Sequence, residues 1–181
     1  MTANVFCTAR DEVRATRLID ELRQAGFTLT QLSVFVPEHA VAGGFRPATI
    51  PQREGTNESP PAAGSFCELL YRLPEVALET CGGLGRCLAT GELAAVLKAA
   101  SAAGYARTAN ELAHAGLPRA EFYKQNVSEG KILVSVNCKG VEETARVKSV
   151  LLRAGAEDLL TTGATSSRDT GPETGQYRHA A

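Results

Sequence analysis

The feature that most constrains the fold is a strand–helix–strand pattern that occurs once near each end of the chain. Short runs of β-forming residues flank stretches whose apolar side chains recur with helical periodicity. The first pattern predicts a strand over 4–8, a helix over 11–24 and a strand over 31–37, and the second predicts a strand over 131–138, a helix over 141–153 and a strand over 157–162. The spacing therefore indicates an internal repeat of a β-α-β unit.

The two predicted helices are alike in their termini and in their apolar faces. Each ends at a glycine, Gly26 or Gly155, the residue favoured just after a helix C-terminus, and Thr8 or Asp11 is suited to cap the first. The side chains predicted to face inward are Val13, Leu18, Ile19 and Leu22 in the first helix and Val147, Val150, Leu151 and Ala154 in the second. We therefore expect both helices to pack one apolar face on a common sheet.

Two such units can interdigitate, each leaving a gap between its parallel strands that a strand of the other fills. The sequence thus predicts an α+β fold, a ferredoxin-like β-α-β-β-α-β sandwich formed by residues 1–37 and 131–163 together. An alternative is that these are ordinary helix–strand pairs of another α+β fold. In the first interpretation, everything between the units is a long, mostly helical insertion between the second and third strands.

The intervening residues change character twice. Residues 38–64 are rich in proline and glycine and predict a loop, whereas residues 65–130 predict a helical Ala/Gly-rich insertion. Within it, Phe66, Leu69, Leu70 and Leu73 indicate a helix over 65–80 that Pro74 breaks or restarts; a turn over 81–85, a helix over 92–106 and weaker helices over 108–115 and 118–128 follow. Residues 164–181 predict a flexible polar tail.

Composition excludes several classes of function. The 181 residues carry a net charge of -1, only 6% aromatic side chains and no Trp, which argues against nucleic-acid binding. The N-terminus lacks the pattern of a signal peptide, and no uncharged apolar run is long enough to cross a membrane. An odd count of five cysteines then indicates reduced thiols and a cytoplasmic location.

The order of several short segments resembles one family of bacterial proteins. These are Val5-Phe-Cys-Thr-Ala-Arg-Asp-Glu12, Leu32-Ser-Val-Phe-Val-Pro37, the Gly/Ala-rich Cys81–Ala95, Gly116-Leu-Pro-Arg-Ala-Glu-Phe-Tyr123 and Leu152-Arg-Ala-Gly-Ala-Glu-Asp158. Together they resemble the general-stress and heat- or low-temperature-induced proteins that carry a central glycine-zipper-like segment. The resemblance implies a stress-linked role and supplies no catalytic residues. Glu92, Lys98 and Arg107 interrupt the central segment, which argues against membrane association.

No catalytic, cofactor-binding or metal-ligating residues can be assigned from the sequence. The five-residue spacing between Cys81 and Cys87 lacks the second ligand pair of a zinc site, and His39, His114 and His179 show no ligand spacing. The glycine run 82–85 lacks the lysine and serine of a phosphate loop. Cys7 and Cys138 are predicted on antiparallel neighbours but toward opposite ends, and Tyr123 is interpreted as a core anchor.

We therefore expect a non-enzymatic protein that acts by self-association or by binding a protein partner, with a homodimer favoured. The Ala/Gly-rich helix over 92–106 must pack on the sheet, on the helix that begins near residue 65, or on a second subunit, and sheet edges offer another route to dimers. One alternative is a small-molecule-binding regulatory domain. A second is a thiol redox switch that uses Cys81 and Cys87.

Overall fold

The fold is α+β, as predicted, with helices on both faces of an antiparallel sheet. A computed structural model describes residues 2–41, 66–81, 85–102 and 125–162. The strands are β1 (Thr2–Ala9), β2 (Leu32–Pro37), β3 (Val76–Cys81), β4 (Gly85–Thr90), β5 (Ile132–Lys139) and β6 (Glu157–Thr162), and the helices are α1 (Glu12–Gln24), α2 (Phe66–Arg72), α3 (Gly91–Ala102) and α4 (Val141–Ala154). Short 3₁₀ turns at Leu29–Gln31 and Glu38–Ala40 flank β2.

The sheet has six strands in the order β3-β4-β2-β5-β1-β6, and every neighbouring pair is antiparallel. Strand β5 lies between β1 and β2, with Val136 opposite both Val5 and Leu32. Strand β1 in turn lies between β5 and β6. The strands that the sequence predicts in the two terminal units are therefore all present, and they alternate in the sheet.

The ends of α1 and α4 follow the predicted chemistry. Asp11 is the N-cap of α1, where its Oδ1 accepts a hydrogen bond of 2.7 Å from the backbone N–H of Arg14. Gly26 and Gly155 follow the two helices with φ of 92° and 86°, the left-handed region that glycine adopts without strain. The predicted inward residues are buried except Val13, which is 78% exposed; Ala15 takes the inward position instead.

The expectation of a mostly helical insertion is wrong between residues 76 and 90. Helix α2 ends at Arg72, just before Pro74, and the chain then forms the β3–β4 hairpin at the edge of the sheet. The physical reason is pairing along the whole length of both strands, from Val76 opposite Thr90 to Cys81 opposite Gly85. Small and apolar side chains that suggest helix periodicity in isolation here alternate between the two faces of a sheet.

The first face of the sheet is covered by α1, α2 and α4. Its buried cluster, the first-face core, includes the aliphatic residues Leu18, Ile19 and Leu22 from α1 and Val147, Val150 and Leu151 from α4. Phe66, Leu69, Leu70 and Leu73 join this core, as their spacing predicts. The strands contribute alternate residues, namely Val5, Cys7, Ala9, Leu32, Val34, Val36, Leu88, Ile132, Val134, Val136 and Cys138.

The second face carries a smaller cluster, the second-face core. Phe6, Phe35 and Leu133 come from the strands shared with the first face but from the intervening positions, and Ala77, Cys87 and Ala89 come from the hairpin. Leu93 and Ala94 of α3 and Val127 of a helical turn at 125–128 complete it. Helix α3 therefore packs on the sheet of its own chain, over β2, β3 and β4.

Helix α3 starts very close to β2. A Cβ added at Gly91, where φ is 61°, would lie 2.5 Å from Ser33 Oγ and 2.7 Å from the carbonyl oxygen of Leu32. The Gly91 N–H donates to Pro74 O at 2.6 Å and to Glu75 O at 3.0 Å, while the next N–H, of Glu92, donates to Ser33 Oγ at 3.0 Å. A glycine is thus required where the helix begins.

Several predictions lie outside the described residues. These are the loop over 42–64, the turn residues 82–84, the helices over 103–124, the tail over 164–181, and the side chains of Arg107, His114, Tyr123 and His179.

Candidate functional site

The two cysteines proposed as a redox pair are not directly opposite each other. In the hairpin register Cys87 faces Glu79, whereas Cys81 faces Gly85. Cα atoms on such a diagonal are about 7–8 Å apart, beyond the usual 4.4–6.8 Å span of a disulfide. Cys87 is 0% exposed and belongs to the second-face core. The register therefore does not favour a disulfide between Cys81 and Cys87.

Cys7 and Cys138 lie in the first-face core, on neighbouring strands but away from each other. Cys7 is opposite Val134 and Cys138 is opposite Ala3, which separates the two cysteines by four positions along the strands, as predicted. Burial raises the pKa of Cys7 to about 12, and burial, opposed by a hydrogen bond with Thr144, raises that of Cys138 to about 11. Both thiols are therefore poor nucleophiles near neutral pH.

Charged residues at the starts of the terminal helices make specific polar contacts. Glu143 accepts hydrogen bonds from the backbone N–H of Lys139 and, at 2.8 Å, from the side-chain amide of Gln31. These two bonds hold the pKa of Glu143 below its usual range. Arg10 forms an ion pair with Glu157. These contacts tie the starts of both terminal helices to neighbouring segments of the fold.

No metal site forms in the part of the chain that the structure describes: no three His, Cys, Asp or Glu side chains there are grouped to hold an ion. The imidazole of His39 packs against Gly130, where its Cδ2 would lie 3.3 Å from an added Cβ. Its neighbour Glu38 pairs with Arg86 at 3.1 Å. These contacts tie the turn after β2 to β4 and to the start of β5.

An open groove of about 510 Å³ runs along the outer side of α1. Its lining is mainly the polar and charged side chains of that helix, with the buried ring of Phe66 at one side: Glu12, Val13, Thr16, Arg17, Asp20, Glu21, Gln24 and Phe66. The volume lies within the range of small-molecule sites, about 300–1,000 Å³. A groove lined by carboxylates and one arginine would suit a polar ligand.

The most distinctive surface in the described structure is the β6 edge of the sheet. One side of β6 pairs with β1, and no strand of the described residues pairs with the other. The strand divides into two parts. Glu157 and Asp158 are acidic, whereas Leu159-Leu-Thr-Thr162 carry no charge.

The acidic part of β6 is bulged and clamped. The register with β1 shifts between Phe6 and Thr8, and Asp158 has a φ of 53°, as in a β-bulge. The buried hydroxyl of Thr8 donates to Asp158 Oδ2 at 2.8 Å, and Lys131 Nζ lies 3.4 Å from the same oxygen and 3.3 Å from Glu157 Oε2. Bulges and charges are the devices that protect a sheet edge from pairing, so this part is protected.

The uncharged part of β6, which we call the open edge, has none of these devices. Leu159 packs on the first-face core and Leu160 on the second, so the strand is anchored on both faces of the sheet. All four residues of the open edge are partly exposed. Sequence reasoning predicted the strand but missed the distinction, and the only available signal was the change from acidic to uncharged residues after Asp158.

Comparisons with protein-family models, with curated proteins and with solved structures find no match for this chain. Within the described ranges, no helix combines the length and the apolar character needed to span a bilayer. The functional interpretation therefore rests on the geometry of the chain itself.

Proposed function

We propose that this protein acts by self-association, as a non-enzymatic homodimer in the stress response that its resemblance to general-stress proteins implies. The observation that carries the proposal is the open edge of β6, whose outer side pairs with no strand of the described residues. Edge strands of this kind readily pair with another chain because they offer a row of N–H and C=O groups. Binding of a different protein partner would use the same groups.

The position of α3 favours the β6 edge, rather than the Ala/Gly-rich helix, as the surface through which two copies associate. Leu93 and Ala94 are buried against Phe35, Ala77 and Ala89 of the same chain. The described start of α3 is thus already used to cover the second face, and a contact between subunits at the sheet edge leaves it in place.

We further propose that residues 1–37 and 131–163 form a ferredoxin-like core in a cytoplasmic protein. The strand order β2-β5-β1-β6, in which each terminal unit fills the gap of the other, supports this proposal, as does the packing of α1 and α4 on one face. The hairpin β3–β4 would then extend the core at the β2 side. Among the described residues, Cys7, Cys67, Cys87 and Cys138 form no disulfide with one another, which is compatible with a reducing compartment.

Sedimentation equilibrium of the full chain tests the proposed self-association. We expect the average mass to rise from one to two subunits between low and high micromolar protein. A mass of one subunit throughout this range would contradict the proposal.

A second candidate function is small-molecule binding in the groove along α1. The presence of Arg17 beside the carboxylates Asp20 and Glu21 in its lining supports this function. Native mass spectrometry of the protein purified from its own cells would detect a retained ligand as a discrete added mass. Arg17→Ala should release it, while Arg23→Ala, on the same helix but outside the groove lining, should not.

A further inference from the structure

We infer that β6 pairs antiparallel with β6 of a second copy of this chain, through Leu159–Thr162 and about a two-fold axis. The inference rests on the proposed self-association and specifies its surface, its partner and its orientation. It would join two six-stranded sheets into one continuous sheet, with the clamped acidic parts of both strands at the two ends of the paired stretch.

The backbone of β6 is already organised for such pairing. Asn4 lies opposite Thr162, Val5 opposite Thr161 and Phe6 opposite Leu160, so β1 holds the open edge in an extended conformation. Leu159 and Leu160 fix its two faces by packing into opposite cores. Because the strand is already ordered, pairing would cost less conformational entropy than ordering a loop.

The distribution of charge selects both the partner and the orientation. Residues 159–167, Leu-Leu-Thr-Thr-Gly-Ala-Thr-Ser-Ser, contain no charge. In an antiparallel two-fold arrangement centred on any residue from 159 to 162, neither Glu157 nor Asp158 therefore lies opposite another charged residue of the other copy. A parallel arrangement in register would set Glu157 against Glu157 and Asp158 against Asp158, which is destabilising. The open edge is thus complementary to itself in the antiparallel orientation.

The opposite edge of the sheet lacks this property. Glu79 stands in the middle of β3, so a two-fold pairing along that strand places a carboxylate from each copy inside the paired stretch. Placing charge within an edge strand is one of the ways in which proteins prevent sheets from associating. The β3 edge therefore carries a charge within its strand, whereas the open edge of β6 does not, and this difference favours pairing of a second copy at β6.

Single-cysteine substitutions along the open edge test the pairing directly in the full chain. We would compare Leu159→Cys, Leu160→Cys, Thr161→Cys and Thr162→Cys under a mild oxidant and with a short bis-maleimide, at concentrations where the native chain is dimeric. Directly opposite Cβ atoms in antiparallel strands are about 4.5–5.5 Å apart, which a short linker bridges. We expect crosslinked dimer to peak at one of these positions, the residue on the two-fold axis.

The controls are the unsubstituted chain, which measures the background from native thiols, and Thr80→Cys, an exposed position on the β3 edge. Crosslinking at Thr80→Cys, or no β6 signal above background in a chain that sediments as a dimer, would overturn the β6 pairing while leaving self-association intact. A chain that sediments as a monomer would overturn both.

A charge substitution provides a second, independent measurement. Thr162→Glu would face Ala156, Asp158, Leu160 or its own copy, depending on the register. In every register it adds a carboxylate from each copy to the paired edge, which disfavours pairing; Thr162→Gln is the uncharged control of matched size. We expect Thr162→Glu to raise the dimer dissociation constant about tenfold relative to Thr162→Gln. The native hydroxyl makes only a 3.5 Å contact with Asn4 O, so both variants should melt alike. Equal dissociation constants for the two variants would overturn the pairing.

Discussion

The two faces of the sheet are built on different principles. The first-face core joins α1, α2 and α4 to the strands through long aliphatic side chains, and Ile19, Leu22 and Leu151 are 0% exposed. The second-face core depends on smaller residues, such as Ala77, Ala89 and Ala94, and it borders the buried hydroxyls of Ser33 and Ser135. Three helices cover the first face, whereas on the second face α3 begins at a close approach between the backbones of Gly91 and β2.

This difference indicates how each face tolerates change. A core of large interlocking side chains loses stability whenever one of them is shortened, because a cavity remains. A contact in which backbones approach closely is sensitive to the opposite change, the addition of an atom. We therefore predict that the first face is most sensitive to the removal of side-chain atoms, and that the start of α3 on the second face is most sensitive to the addition of an atom.

The largest effect is expected from shortening a leucine in the first-face core. Leu22→Ala should lower the free energy of unfolding by about 4 kcal/mol, since the side chain is fully buried between helix and sheet. Leu93→Ala, on the second face and 7% exposed, should cost about 2 kcal/mol. Urea denaturation of both variants measures the difference, and equal losses would contradict the contrast between the faces.

Adding a methyl group at the start of α3 should have the next largest effect. Gly91→Ala combines a left-handed φ with a clash against Ser33 Oγ and Leu32 O, and we expect a loss of about 3 kcal/mol. Gly85→Ala is the matched control, because its φ of 75° is similar but nothing lies within 4 Å of the added Cβ. That variant should lose about 1 kcal/mol by urea denaturation, from backbone strain alone. Comparable losses would show that the close approach is unimportant.

A pH-dependent prediction tests whether water is excluded from Cys7 in the first-face core. In the unfolded chain a Cys7 thiol ionises near its ordinary pKa of 9.0, whereas burial raises the pKa in the folded protein to about 12. The folded state therefore holds the proton while the unfolded state releases it, so the free energy of unfolding falls as the pH rises from about 9 to about 12. Cys7→Ala should make this fall shallower, as measured by urea denaturation across the pH range.

The region between pH 6 and pH 8 is the internal control for this measurement, because the thiol is protonated there in both states. The native chain and Cys7→Ala should show parallel pH dependence in that range. Identical slopes above pH 9 would mean that water reaches Cys7.

Much of the first face could be predicted from the sequence. The periodicity of Leu18, Ile19 and Leu22 and of Val147, Val150 and Leu151 identified the inward sides of both helices, and glycines marked their ends. Val13 was misassigned because a single apolar residue can lie on the solvent-exposed side of a helix without changing which side packs inward. The hairpin was missed because short apolar runs do not distinguish strand from helix until a pairing partner is known.

The sequence by itself determined the α+β class, the repeated terminal units and the absence of net charge along residues 159–167. These are local properties, fixed by periodicity and by the identity of consecutive residues. Only the tertiary structure decided that β3 and β4 extend the sheet, that α3 covers the second face, and that β6 stands at an edge with its acidic part clamped by Thr8 and Lys131. These features depend on contacts between residues far apart in the chain. Such contacts stabilise the structure only when the strands are paired, so they cannot be deduced from any one segment.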